Sequence, residues 1–119
     1  MEYDLEERTA KFGEDIIIFV KILDRNEFNR PLISQIIRSA TSVGANYMEA
    51  NQAISKKDFK NKIHICRKES NETKHWLRMV ATANPDRKEQ CKQLWKEAHE
   101  LTLIFAKISK SCDIKNSKI

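Results

Sequence analysis

Apolar residues recur along this chain at alternating intervals of three and four, in four separate runs. Each run reads as one stripe of an α-helix. The first is Leu5, Thr9, Phe12, Ile16, Phe19 and Leu23, and the second is Ile33, Ile36, Ala40, Val43, Tyr47, Ala50 and Ile54. The third is Phe59, Ile63, Cys66, Ser70, Thr73, Leu77 and Val80, and the fourth is Cys91, Leu94, Ala98, Leu101, Phe105, Ile108 and Cys112. Start signals precede them. Asp4 with Glu7, and Ser55 with Asp58, have the spacing of a capping box. Asn84–Pro85 supplies a cap and a first helical residue, and Pro31 does the same with Asn29 or Arg30 as cap. The segment 24–31, DRNEFNRP, reads as a turn. The spacing therefore predicts helices near residues 5–24, 31–54, 56–82 and 86–112, with a polar tail at 113–119 expected to fray. Short connections make consecutive helices antiparallel neighbours. The predicted fold is all-α, one up-down-up-down antiparallel four-helix bundle spanning 1–119.

The second run stands apart from the others. The chain is 33% charged, yet residues 31–54 carry only Arg38 and Glu49. Behind its stripe lie Ser34, Thr41, Ser42, Ala45 and Gln52, where a solvated helix normally shows charge. This predicts a central helix touched on more than one side. Gly44 within it costs about 1 kcal/mol against Ala, which close approach of another helix would explain.

Composition supports this picture. Two Gly and two Pro are too few for a turn-rich β fold. The acidic N-terminal MEYDLEER is unlike a secretory signal, and the longest apolar run, Ile16 to Val20, is far short of the ~20 residues that span a bilayer. A cytoplasmic location without membrane association is expected. Cys66, Cys91 and Cys112 each fall on a stripe, so reduced, buried thiols are expected.

The net charge of +5 is unevenly spread. Residues 1–29 are acidic, whereas 30–83 and 84–119 are basic. On the third helix, at about 100° per residue, one flank collects Lys57, Lys60, His64, Arg67, Lys68, Asn71, Lys74, His75 and Arg78. The other collects Asp58, Ile65, Glu69, Glu72, Trp76 and Met79. Random surface decoration would mix the signs. The functional reading is that Lys57, Lys60, Arg67, Lys68, Lys74 and Arg78 contact the phosphates of RNA or DNA. Binding would be sequence-tolerant, because the stripe itself lacks aromatics that would stack bases. The competing reading is a protein-interaction scaffold, with these bases solvated or paired to acids of the first helix.

Ile65, Trp76 and Met79 lie off the core stripe, as do Ile17, Trp95 and Ile104. A monomer of this size seldom exposes so much large apolar side chain, so a homo-oligomer interface through Ile65, Trp76 and Met79 is expected. Arg38, Asn46, Glu49, Glu69 and Glu72 are expected to form a buried polar network that fixes helix register. No cofactor is expected. A di-iron bundle site needs two Glu-x-x-His motifs, and only Glu72–His75 has that spacing. His64 and Cys66 point to different sides of a helix, and there is no nucleophile motif or Gly-rich phosphate loop. No bound metal and no enzymatic activity are therefore expected. The rival is a metal-dependent enzyme using Glu72, His75 and Glu49 across a subunit contact.

The stretches LISQIIRSATSVGANYMEA (32–50), the turn at Ser55–Phe59 and ESNETKHWLRMV (69–80) resemble the four-helix bundle proteins encoded by intervening sequences in bacterial 23S ribosomal RNA genes. Accessory proteins of diversity-generating retroelements share that superfamily. The family often carries Pro in the middle of the second helix, where this chain has Gly44. The resemblance implies a homo-oligomer, commonly a pentameric barrel. For the retroelement relatives it implies a basic surface that binds nucleic acid and a reverse transcriptase. It brings no catalytic residues.

Overall fold

The computed structural model describes residues 4–117, with side chains through Asp113. Its helices are α1 (Leu5–Val20), α2 (Asn29–Asn51), α3 (Lys56–Ala83) and α4 (Lys88–Ser117), with a single 3₁₀ turn at Pro85–Arg87 before α4. No strand is present among the described residues. The helices form the four-helix bundle anticipated from the periodicity, 53 × 22 × 21 Å. Consecutive helices pack along their lengths. α1 and α4 stand further apart than the consecutive pairs, and α1 and α3 lie diagonally opposite with no close backbone approach.

The start signals act as the chemistry requires. Asp4 Oδ1 accepts from Glu7 N at 3.1 Å, and Ser55 Oγ accepts from Asp58 N at 3.0 Å. The second helix begins earlier than expected, because Asn26 rather than Asn29 or Arg30 is the cap. Its Oδ1 accepts from Phe28 N (3.0 Å) and Asn29 N (2.8 Å).

Three helix ends differ from the sequence expectation. α1 stops at Val20, where i→i+3 bonds from Ile22 and Leu23 tighten the chain into the turn, although Leu23 still reaches the core. α2 stops at Asn51. Ser55 must be extended (φ −143°, ψ 160°) to cap α3, which draws Ile54 off the stripe until it is 97% exposed. α4 continues beyond 112, because no Gly or Pro lies there to end it. The expected frayed tail is thus helical through Ser117, and residues 118–119 lie outside the described residues.

Phe12, Ile16, Ile36, Val43, Ile63, Leu77, Leu101 and Phe105 are essentially inaccessible to solvent. Each contributes roughly 1.5–3 kcal/mol by leaving water. Small polar residues share this core without cost, since Thr9, Ser70 and Thr73 each donate to the carbonyl one turn earlier (2.7–2.8 Å). α2 runs unbroken through Gly44. A Cβ there would stand 3.4 Å from the backbone of Thr9, so the glycine marks where α1 and α2 approach. At one end of the bundle, buried Asn29 and Asn84 exchange amide bonds of 3.0 and 2.8 Å. They tie the start of α2 to the end of α3.

Candidate nucleic-acid interface

α3 divides its two flanks between two neighbours. Its acids turn to α2, where Arg38 donates to Glu69 Oε2 at 3.0 Å and also pairs with Glu72. Trp76 Nε1 donates to the same Glu72 oxygen at 2.9 Å. Nearby, Ser39 and Thr73 hydroxyls bond at 2.8 Å in the interior.

The expected five-residue buried network is corrected in two respects. Asn46 turns to its own helix, donating to Ser42 O at 2.9 Å, and Glu49 accepts from Lys62 Nζ at 2.8 Å. Their positions on α2 place each beside a nearer partner than Glu69 or Glu72. The network is also not buried throughout, because the Arg38 side chain is 49% exposed whereas Glu69 is 10% exposed.

Part of the basic flank turns toward α4, where Lys60, His64 and Lys74 find partners. Lys57, Arg67, Lys68 and Arg78 are exposed, while Lys60 and Lys74 are half-buried. Lys60 pairs with Asp113, and Lys74 Nζ donates to His99 Nδ1 at 3.0 Å. Among the described residues, Lys57, Arg67, Lys68 and Arg78 make no ion pair with any carboxylate. The acids of α1 cannot neutralise them, since α1 is diagonal to α3. Charge pairing across the α1–α4 gap runs the other way, from Arg8 to Glu97 (2.7 Å) and Glu100 (3.2 Å). Those two carboxylates hold the Arg8 guanidinium even more firmly protonated than usual.

The fold adds groups that the sequence stripe did not include. Trp95 of α4 lies beside Lys74, whose Nζ sits 4.9 Å from the indole centroid, and His99 stacks on the same indole at 5.0 Å and 16°. Lys88 and Lys92 border the same seam. One signal was available: Lys88, Lys92, Trp95 and His99 recur at three and four along α4, hence on one side of it.

Ile65, Trp76 and Met79 are half-buried, and Trp76 packs against the core. The more exposed apolar side chains are Ile54, Phe28, Ile18, Met48 and Leu103, followed by Ile22 and Ile17. Ile18 and Ile22 line an open groove of about 550 Å³ between α1 and α4, with Phe12, Phe19 and Leu94 at its floor. Cys66 and Cys91 are buried, and burial pushes their thiols up to about 12 and about 11. Cys112, expected to be buried, is only half so, because it lies in the last turns of α4 where fewer neighbours cover it. Glu72, His75 and Glu49 do not converge within the chain. Glu72 faces Arg38, His75 lies edge-on to Trp76 at 4.9 Å, and Glu49 faces Lys62. Among the described residues no three His, Cys, Asp or Glu are grouped to hold a metal. No helix among them is long and apolar enough to cross a membrane.

Residues 2–107 match the family model described as 23S rRNA-intervening sequence protein. Among solved structures, the chain resembles a protein with unknown function from the S23 ribosomal protein family of Bacteroides thetaiotaomicron. The two are 33% identical, with a TM-score of 0.81 over 88% of this chain and 97% of that one. No curated protein matches the chain significantly.

Proposed function

The chain belongs to the 23S rRNA-intervening sequence protein family, and from that premise we propose that it is a non-enzymatic, self-associating nucleic-acid-binding module. The observation that carries this reading is the separation of charge on α3. Glu69 and Glu72 are taken up by Arg38 on one side. On the other side Lys57, Arg67, Lys68 and Arg78 stand exposed, and among the described residues no carboxylate pairs with them. A row of uncompensated bases costs free energy by self-repulsion and is relieved by a polyanion. Contacts are chiefly to phosphate, so binding is sequence-tolerant and salt-sensitive.

Self-association is supported by the open α1–α4 groove with Ile18 and Ile22, and by the exposed, uncharged Ser34, Thr41, Ala45 and Gln52 on the outer face of α2. In a ring, of which a pentamer is the form suggested by resemblance, the basic face repeats once per subunit and weak contacts add through multivalency. Light scattering at micromolar concentration is expected to give several times the mass of one chain. A single-chain mass would end the oligomer reading.

Titration with labelled RNA and DNA tests the binding reading. Affinity is expected to fall roughly 10³-fold between 50 and 200 mM salt if about six phosphates are engaged. The combined Lys57→Glu, Arg67→Glu and Lys68→Glu variant is expected to abolish binding with folding unchanged. Binding that survives this variant, or none at low salt, leaves the scaffold reading, in which the α1–α4 groove holds a protein partner.

A further inference from the structure

The basic flank ends beside a feature that phosphate binding alone does not require. Trp95 is 37% exposed, and its orientation is fixed from one side. His99, one turn later on α4, stacks on the indole, and Lys74 reaches across from α3 to bind both rings. One turn before Trp95 lie Cys91 and Lys92. There the indole lines a cleft of about 370 Å³ with Leu77, Arg78, Lys88, Cys91 and Lys92. The floor is apolar and the rim is cationic. Among the described residues Arg78, Lys88 and Lys92 make no ion pair.

We propose that this cleft is a subsite for one unpaired nucleotide, so that the protein prefers single-stranded over duplex nucleic acid. The inference rests on the nucleic-acid-binding reading above and names its substrate class. The chemistry follows from the parts. An aromatic face held by its own neighbours stacks on a nucleobase without first losing side-chain freedom, and any base will serve because every base has a π-face. Arg78, Lys88 and Lys92, which line the same cleft, supply cations for the flanking phosphates of a stacked nucleotide. The volume is at the small end of ligand clefts, which run from about 300 Å³, and suits one nucleotide rather than a folded segment. A duplex has both faces of each base occupied by neighbours and offers only its phosphates to the α3 row. The apolar floor of Leu77 and Cys91 would gain nothing from a duplex backbone, but it is covered when a base enters.

Equal-length oligo-U, oligo-dT and duplex probes, titrated at low salt, provide the test. Wild type is expected to bind the single strands about 10-fold more tightly than duplex. Trp95→Ala is expected to remove that preference, lowering single-strand affinity by about 10-fold, while duplex affinity is retained and serves as the check on folding. Trp95→Phe is expected to restore most of it. A second measurement does not depend on Trp95→Ala folding. In a Trp76→Phe background the remaining indole fluorescence is expected to be quenched by single strands and little changed by duplex. If wild type binds single strands and duplex alike and indole emission does not respond, the subsite is wrong. The phosphate-binding row still stands in that case, provided the Lys57, Arg67 and Lys68 variant weakens both. Absence of binding to any probe overturns both proposals.

Discussion

α3 meets α2 and α4 through seams of opposite character. Toward α2, polar groups find partners: Arg38 bridges Glu69 and Glu72, Ser39 bonds Thr73, and Asn29 bonds Asn84. Toward α4, bases gather with an exposed indole and few acids answer them, Asp113 with Lys60 being the exception. Both seams have an apolar interior, so packing does not explain the difference. A matched polar seam lowers the free energy of the folded chain by itself. An unmatched one leaves attraction available for something outside it. The α2 seam is therefore read as structure and the α4 seam as the binding face.

The sharpest break of that comparison is at the amide pair closing the α2 seam. Asn84→Ala leaves the buried Asn29 amide with one partner fewer and is expected to cost about 2 kcal/mol. Thermal unfolding should move down by several degrees while nucleic-acid affinity per folded molecule is unchanged. A large affinity loss would show that the two seams are not separable.

Arg38→Ala should cost less, about 1–2 kcal/mol. It strands Glu69, which is nearly buried, but Arg38 itself is half exposed and water screens the pair. Arg38→Lys is expected to recover only part of this, since a single ammonium cannot span two carboxylates as a guanidinium does. Denaturant titration checks both, and neither change should alter RNA binding.

The smallest effect concerns the thiols. Cys66 donates to Val43 O inside the α2 seam, whereas Cys91 lines the cleft by Trp95. Alkylation of folded protein at mild alkaline pH should proceed in the order Cys112, Cys91, Cys66, as mass spectrometry of the modified peptides would report. Burial raises both buried thiols from 9.0, to about 12 for Cys66 and about 11 for Cys91. Above pH ~9 the unfolded chain releases these protons first, so it binds fewer than the folded one and stability falls as pH rises. Cys66→Ala should flatten that fall. Equal reactivity at Cys66 and Cys91 would mean that the seams do not differ in tightness.

Much of this was legible beforehand, and particular residues show why. Asp4 and Ser55 announced their helices, because a cap is a local bond between a side chain and a backbone N–H three residues on. Gly44 announced a close approach, and Thr9 is what approaches. Ile54 misled, because periodicity does not register that a cap needs extended backbone just beyond it. Trp95 reads in the sequence only as one more off-stripe apolar residue favouring self-association, since its place beside Lys74 and Arg78 depends on residues of α3 that lie 17 to 21 positions away in the chain.

Four amphipathic helices, their alternating direction, and an α3 with its acids on one flank and most of its bases on the other were all legible in the chain's pattern. Those properties follow from a 3.6-residue period and from short links, which are local. Which neighbour each flank meets is settled by packing between helices. An up-down-up-down bundle of the same helices turns in either hand, and reversing the hand exchanges α2 and α4 beside α3. That choice rests on how side chains such as Phe105, Leu77 and Val43 interlock across helices and on the closeness of Thr9 to Gly44. These are non-local packing terms that no window along the chain contains.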